Sequence, residues 1–172
     1  MGLPLIAHFA DDKNFARMLA IIDSWIGTPY RHGTMIRGRG ADCTLLLGAC
    51  LLEYGILTDV VWEYYPHDWY LTATDERILN GVVKHFTEHV ARGFSIERIA
   101  PTDPLLQGDL LAFETTRRGV SNHAAMFIGW PGRPREGRGE MVHAHPLSGV
   151  SRFPMAGFFS RHLTNVFRIV EV

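Results

Sequence analysis

Two cysteines occupy different settings along the chain, and one of them is a candidate nucleophile. Cys43 falls at the predicted first turn of a helix, directly after a loop that contains Gly38, Gly40 and Asp42. Unpaired N–H groups at a helix start favour the thiolate, the reactive form of cysteine, and can donate to an oxyanion. Cys50 lies mid-helix among leucines and fits a buried apolar role. Position alone leaves Cys43 open between a nucleophile and a small core residue.

The two cysteines are not expected to form a disulfide with each other. On one helix they lie seven residues apart, which corresponds to about 10 Å. A disulfide requires Cα atoms within about 7 Å. Two free thiols fit a reducing compartment.

A cysteine nucleophile needs a base, usually a histidine that a third polar group holds in place. The chain has nine histidines, so their context must separate them. His123 begins an apolar, strand-like segment, where a side chain is both fixed and accessible. His143 and His145 share one face of a later strand, and pairing of the two strands would let His143 orient the His123 ring. The spacing does not distinguish this role from that of an ordinary hydrogen-bonded strand histidine.

The same residues allow a metal alternative. Cys43, His123, His143 and His145 could together supply a zinc tetrahedron. Their wide and unequal spacings match no compact zinc motif. A metal site is therefore the weaker interpretation, and we expect no cofactor.

The elements that would carry these residues change character along the chain. Helices are predicted first, where apolar residues recur at helical spacing, and Thr74 is the predicted cap of the third. Short segments rich in β-formers follow, separated by glycine and proline. The predicted helices span 12–26, 42–54 and 75–91, and the predicted strands span 94–99, 109–114, 123–130, 140–145 and 163–170. This order indicates a single α+β domain over residues 1–172, with N-terminal helices packed on a central antiparallel sheet of about five strands. The stretch 131–139, rich in glycine and arginine, predicts a long hairpin loop.

Composition limits the class of partner. Apolar residues make up 47% and charged residues 20% of the chain, as in an ordinary folded domain. The 17 basic residues nearly balance the 18 acidic ones, so nothing calls for a nucleic acid or an anionic membrane. The longest apolar run, 45–52, is far shorter than the roughly 20 residues of a membrane span. Residues 1–10 lack the features of a secretory signal, so we expect a cytoplasmic location or export by another route.

Five short motifs occur in an order that resembles the NlpC-type superfamily of papain-like peptidases, which cleave bacterial cell-wall peptides. They are Trp-Ile-Gly-Thr-Pro-Tyr-Arg-His-Gly at 25–33, Ala-Asp-Cys-Thr at 41–44, Gly-Asp-Leu at 108–110, His-Ala-Ala-Met-Phe-Ile-Gly at 123–129 and Met-Val-His-Ala at 141–144. The resemblance implies a papain-like fold with Cys43 as nucleophile, His123 as base and His143 as the residue that orients it.

The resemblance also implies substrate-binding residues. Tyr30 would lie beside the nucleophile and hold substrate or oxyanion. Asp42 and Thr44 stand where relatives that act on peptides with a free N-terminus bind the amine. The family usually has Ser-Gly after the cysteine, whereas this chain has Thr44 followed by leucine. Trp69 could line the cleft, with core packing as the alternative.

The implied function is hydrolysis of an amide bond in cell-wall stem peptides, after a D-glutamyl residue. The aromatic stretch 65–70 resembles versions of the domain encoded with phage tails or gene-transfer particles, which suggests a phage-particle location and particle proteins as partners beside the peptidoglycan-derived peptide. Two alternatives remain: a lipid acyltransferase or thioesterase on the same fold, and a tail component without activity.

Overall fold

The computed structural model describes residues 5–116, 119–129 and 139–172. The predicted hairpin loop at 131–139 lies outside these residues except for Gly139. Within them the chain forms four α-helices, one small hairpin and a large antiparallel sheet. No helix of the described part is both long and apolar enough to cross a bilayer.

The helices are α1 (Asp12–Trp25), α2 (Cys43–Tyr54), α3 (Arg77–Glu88) and α4 (Phe158–His162). Helix α1 begins where the Asp11 carboxylate accepts hydrogen bonds from the N–H groups of Lys13 and Asn14, 2.9 and 3.1 Å away. Its apolar stripe then packs toward the core.

Helix α2 is the central helix of the domain. Asp42 caps its start, accepting the N–H of Leu45 at 2.8 Å. Gly55 ends it with a φ of 92°, a left-handed conformation that glycine adopts without steric cost. Seven of its twelve residues are buried, whereas Leu52 and Glu53 are exposed. The apolar residues on nearly all sides of the helix predict this burial.

Helix α3 is shorter at both ends than predicted, and the prediction that Thr74 caps it is wrong. The N-cap residue is Glu76, whose carboxylate accepts the N–H of Ser121 at 2.9 Å instead of capping the helix. At the other end residues 89–91 leave the helix because their backbone pairs with 56–58, as in the bond from the Thr58 N–H to the His89 carbonyl.

The main sheet runs in the order β1-β9-β5-β6-β7-β8, and β4 also pairs with β9. Its strands are β1 (Ile6–Ala7), β4 (Phe94–Ile99), β5 (Leu110–Phe113), β6 (His123–Gly129), β7 (Glu140–His145), β8 (Gly149–Pro154) and β9 (Leu163–Glu171). Strands β2 (Met35–Ile36) and β3 (Gly40–Ala41) form the separate hairpin. The α+β class with an antiparallel sheet is confirmed, but the described sheet has seven strands instead of about five. The additional strands are β1, which has two residues, and β8, an edge strand that ends in a proline.

Side chains of the sheet alternate between two buried clusters. Leu110, Ala124 and Met126 face the larger cluster, which includes α1 and α2. Leu111 and Ala125 face the smaller one on the opposite side of the sheet. Strand β6 is therefore buried on both faces, so that the residue at its start is held rigidly.

Candidate active site

Cys43 is the first residue of α2, and it faces the start of β6. The hairpin places it there, because Ala41 pairs with Tyr30 and the Asp42 N–H donates to the Thr34 carbonyl at 3.2 Å. The thiol is half-buried and lies against the backbone of Ala124, with which it makes a hydrogen bond.

The Cys43 thiol is protonated at rest. Burial raises its pKa to about 12, and the charge of Asp42 acts in the same direction. Hydrogen bonds from the backbone of Ala124, Thr44 and Cys43 itself oppose the increase but do not overcome it. The thiolate expected from the helix start is therefore not the resting form, and a base must remove the proton.

His123 and His143 are joined by a hydrogen bond across two adjacent strands. Strands β6 and β7 pair in the register Met126 with Val142, and Nε2 of His123 lies 3.0 Å from Nδ1 of His143. His143 is only 2% exposed. Nδ1 of His123 makes no hydrogen bond to a described residue, so this nitrogen is the one available to act as a base.

This hydrogen bond also defines the tautomers that base catalysis requires. For Nδ1 of His123 to accept a proton, its Nε2 must carry hydrogen and donate it to Nδ1 of His143. The proton of His143 then sits on Nε2, which is buried without a hydrogen-bond partner among the described residues. In this arrangement His143 would hold the His123 ring in the tautomer that base catalysis requires, with its own Nε2–H unpaired among the described residues.

Aromatic side chains surround the two histidines. Phe113 and Phe159 lie 6.0 and 5.7 Å from the His123 ring centre, and Phe153 lies 5.6 Å from that of His143. Burial lowers the pKa of His123 to about 3, with additional effects of the neighbouring histidines, and that of His143 to about 4. Both rings are therefore neutral at ordinary pH.

His145 takes a different position from His143. Its ring stacks on that of His143 with 5.4 Å between centres, and its Nδ1 accepts the N–H of Leu147 at 3.2 Å. It lines the cavity in front of Cys43 but makes no hydrogen bond to His123 in the described part of the chain. Of the two strand histidines, His143 is the one positioned to orient His123.

Cys43 and His123 line one cavity, but no hydrogen bond joins their side chains in the described structure. Hydrogen bonds between catalytic groups are often long in the absence of substrate and shorten when it binds. No group of three or more histidine, cysteine, aspartate or glutamate side chains among the described residues is arranged to hold a metal ion.

The cavity has a volume of about 690 Å³ and two walls of different composition. The inner wall is formed by α2, β6 and β7 and carries Cys43, His123 and His145. The outer wall is formed by residues 57–88, which include α3. Toward the far end of the cavity both walls are aliphatic or aromatic, with Leu47, Leu51, Leu57, Val60, Ile78, Val82 and Phe86 as lining residues.

Tyr30 and Trp69 both line this cavity. Burial, followed by the nearby Cys43 and Asp42, raises the pKa of the Tyr30 hydroxyl, so it remains a neutral donor close to the thiol. Trp69 is half-buried and makes edge contacts with Tyr65 and Tyr70, at 6.4 and 6.1 Å between ring centres. It also packs against the core, in agreement with the packing interpretation, and its role in substrate binding stays a prediction.

Asp42 and Thr44 lie together, as their spacing requires, but they are already bonded within the chain. The Asp42 carboxylate accepts the hydroxyl of Tyr65 at 2.7 Å and that of Thr44 at 3.2 Å. It also accepts the N–H groups of Gly33 and Leu45, at 2.9 and 2.8 Å.

Several solved structures resemble this chain in fold. The NlpC/p60 domain of the peptidoglycan hydrolase SagA matches with a TM-score of 0.51 at 18% identity, over 88% of this chain and 96% of that domain. An NLP/P60 family protein similar to lipoprotein, from Staphylococcus aureus subsp. aureus Mu50, gives 0.55 at 17% identity, over 92% and 42% of the respective chains. An NlpC/p60 family protein from Bacillus cereus ATCC 10987 gives 0.54 at 17% identity, over 88% and 39%. The chain has the NlpC/p60 fold.

The similarity to NlpC/p60 structures is visible in the fold and not in the overall sequence. A scan against protein-family models and a search of curated proteins both give no match. The chain spans nearly the whole SagA domain but less than half of the Staphylococcus and Bacillus proteins.

Within this NlpC/p60 fold, Tyr65 is the site residue that the motifs did not single out. It belongs to an aromatic stretch without periodicity, and only its bond to Asp42 distinguishes it from its neighbours. Arg77 was also missed; it lines the cavity, 5.1 Å from the centre of the Tyr65 ring. No short motif marks either residue.

Proposed function

We propose that the chain is a cysteine peptidase or amidase that hydrolyses amide bonds of bacterial cell-wall stem peptides, with Cys43 as nucleophile, His123 as base and His143 as the residue that orients His123. The observation that carries the proposal is the hydrogen bond from Nε2 of His123 to His143, which leaves Nδ1 without a hydrogen bond to any described residue, while His123 and Cys43 line the same cavity. The likeness to peptidoglycan hydrolase SagA supports the substrate class.

The reaction is acyl transfer to water. Nδ1 of His123 takes the thiol proton as Sγ of Cys43 attacks the amide carbonyl, and a C–S bond forms. The N–H groups at the start of α2 and the Tyr30 hydroxyl donate to the oxyanion. His123 then gives its proton to the leaving nitrogen, and the C–N bond breaks. Water, deprotonated by His123, attacks the thioester, and the C–S bond breaks to release the acid and restore the thiol.

The cleaved bond is proposed to follow a D-glutamyl residue. The free carboxylate of that residue needs a cation, and Arg77 is the arginine that lines the cavity among the described residues. Arg37, in the turn between β2 and β3, instead pairs with Glu53 and lies 5.1 Å from the Trp25 ring centre. Trp69 would contact the peptide from the outer wall.

The delivery route is proposed to be a phage tail or a related particle, with particle proteins as partners. The aromatic stretch 65–70 supports this version through its resemblance to particle-encoded domains, and several of its residues line the cavity. Co-purification of the chain with assembled particles, compared with the free cytoplasmic pool, tests it.

Digestion of purified muropeptides tests the proposed reaction. Wild-type protein and Cys50→Ala should both release peptide fragments, because Cys50 is buried mid-helix and only 1% exposed. Cys43→Ala should release none above background. Equal product from wild type and Cys43→Ala would falsify the nucleophile assignment, and no product from any protein would favour a particle component without activity.

A second candidate is transfer or hydrolysis of a lipid acyl group through the same cysteine. The aliphatic far end of the cavity favours it, since Leu51, Val60 and Val82 would surround an acyl chain. Incubation with an acyl thioester distinguishes the candidates. Acylation of Cys43 together with inertness toward muropeptides would support the lipid reaction and exclude the peptidase.

A further inference from the structure

Asp42 is the carboxylate nearest in sequence to the nucleophile, and its acceptor capacity is filled. A carboxylate has about four lone-pair sites. Oδ1 accepts from the N–H of Leu45 and the hydroxyl of Thr44, and Oδ2 accepts from the N–H of Gly33 and the hydroxyl of Tyr65. With Asp42 only 1% exposed, no acceptor site remains for a cation that enters with the substrate.

Tyr65 is the donor in this set that comes from the outer wall, and it is itself fixed. Its carbonyl oxygen accepts a hydrogen bond from Nε2 of His32 at 2.7 Å, and its ring meets the His32 ring edge-on at 4.6 Å between centres. Arg77 is the first residue of α3, and its guanidinium carbon lies 5.1 Å from the centre of the Tyr65 ring. Residues on both sides of the cavity therefore hold the hydroxyl on Asp42.

The other carboxylates that line the described cavity are Glu63 and Asp75, and both are exposed to solvent. A substrate ammonium group beside Cys43 would therefore be desolvated without a paired anion unless Tyr65 moved away. Burial of an unpaired charge is strongly unfavourable. A peptide whose nitrogen is already an amide carries no such charge.

We propose that Tyr65 is a specificity-determining residue that occupies the Asp42 carboxylate and so restricts the enzyme to peptides without a free amino group at that position. The substrate class is an internal or N-acylated stem peptide, such as one still attached to its glycan, and not a free di- or tripeptide. This inference rests on the proposed function and reverses the expectation that Asp42 and Thr44 bind a free amine.

Two peptides and three variants test the inference. The peptides are L-Ala-γ-D-Glu-L-Lys with a free amino terminus and its N-acetylated form. Tyr65→Phe removes the hydroxyl but keeps the ring, and Tyr65→Ala opens the space. Tyr64→Ala is the matched control, because this neighbouring side chain is 87% exposed. Melting temperatures of all variants establish that they are folded.

Wild type and Tyr64→Ala should cleave the acetylated peptide with a higher kcat/KM than the free one. Tyr65→Phe should shift the ratio toward the free peptide by about tenfold or more, the size expected for one hydrogen bond to a charged group. The shift should appear mainly as a lower KM for the free peptide. A wild type that prefers the free peptide, or a ratio equal in wild type and Tyr65→Phe, would overturn the inference.

Binding separates this inference from the proposed reaction. If wild type cleaves neither peptide, the proposed function fails, and dissociation constants measured by calorimetry on Cys43→Ala with and without Tyr65→Phe then decide the inference. Preference for the acetylated peptide that Tyr65→Phe reverses would support it. The inference would be overturned if the ratio of the two dissociation constants were the same in both proteins. It would also be overturned if neither protein bound either peptide.

Discussion

The two walls of the cavity are built in different ways. The inner wall consists of a capped helix and two paired strands, so backbone hydrogen bonds fix Cys43 and His123. The outer wall is attached to the rest of the domain largely through side chains: the Tyr65 hydroxyl donates to Asp42, and Nε2 of His32 donates to the Tyr65 carbonyl at 2.7 Å. We propose that the inner wall carries the chemistry and that the outer wall selects the substrate.

The largest effect should follow loss of the base on the inner wall. His123→Ala should lower kcat by roughly 10²–10⁴-fold, the usual contribution of a general base, with little change in KM. Steady-state kinetics on muropeptides measure it. His162→Ala is the control, because in the described structure its ring donates to the Phe158 carbonyl within α4 and is not part of the cavity lining. A kcat of His123→Ala equal to that of wild type would contradict the role of His123 as the general base.

A smaller loss should follow removal of the orienting ring. His143→Phe should lower kcat by roughly 10²-fold, because the His123 ring loses the partner that selects its tautomer. His143→Asn should restore part of the loss, since its side-chain oxygen can accept from Nε2 of His123. The kcat values of the two variants give the comparison. Equal kcat in both would indicate that His143 acts only by packing.

The prediction from sequence is most accurate where a regular apolar pattern lies between clear capping residues. The leucine-rich pattern of α2, between Asp42 and Gly55, predicted the helix almost to the residue. Spacing alone could not separate His143 from His145, because side chains two residues apart in a strand share a face; the motif resemblance favoured His143, and the hydrogen bond between His123 and His143 agrees with it.

Agreement was poorest on the outer wall. The contact of Tyr65 with Asp42 joins a segment without periodicity to a helix cap, and no local pattern encodes it. The predicted helix α3 is too long because its ends depend on tertiary contacts. Glu76 bonds to Ser121 at one end, and residues 89–91 pair with 56–58 at the other.

The smallest predicted effect concerns the spacing of the two walls. A Cβ at Gly48 in α2 would lie 2.9 Å from Cγ1 of Val60 in the outer wall, so the Val60 side chain must shift in Gly48→Ala. We expect a loss of about 1 kcal/mol in the free energy of unfolding and a higher KM at unchanged kcat. Gly81→Ala in α3 is the control; its Cβ would meet nothing within 4 Å, so it should gain about 0.5–1 kcal/mol. Denaturant unfolding and KM measure both, and a fall in kcat in Gly48→Ala would contradict the division between the walls.

The central claim is that Cys43 is an accessible nucleophile that rests as a neutral thiol beside a neutral His123. The rate of Cys43 alkylation by iodoacetamide as a function of pH, read by peptide mass spectrometry with Cys50 as internal reference, tests it most directly. With a pKa raised to about 12, the rate should exceed that of Cys50 and rise about tenfold per pH unit between pH 6 and 10 without a plateau. The pKa of His123, lowered to about 3, should leave kcat/KM level over the lower part of that range. A plateau of the alkylation rate below pH 8, or a rate for Cys43 no higher than that for Cys50, would contradict the account.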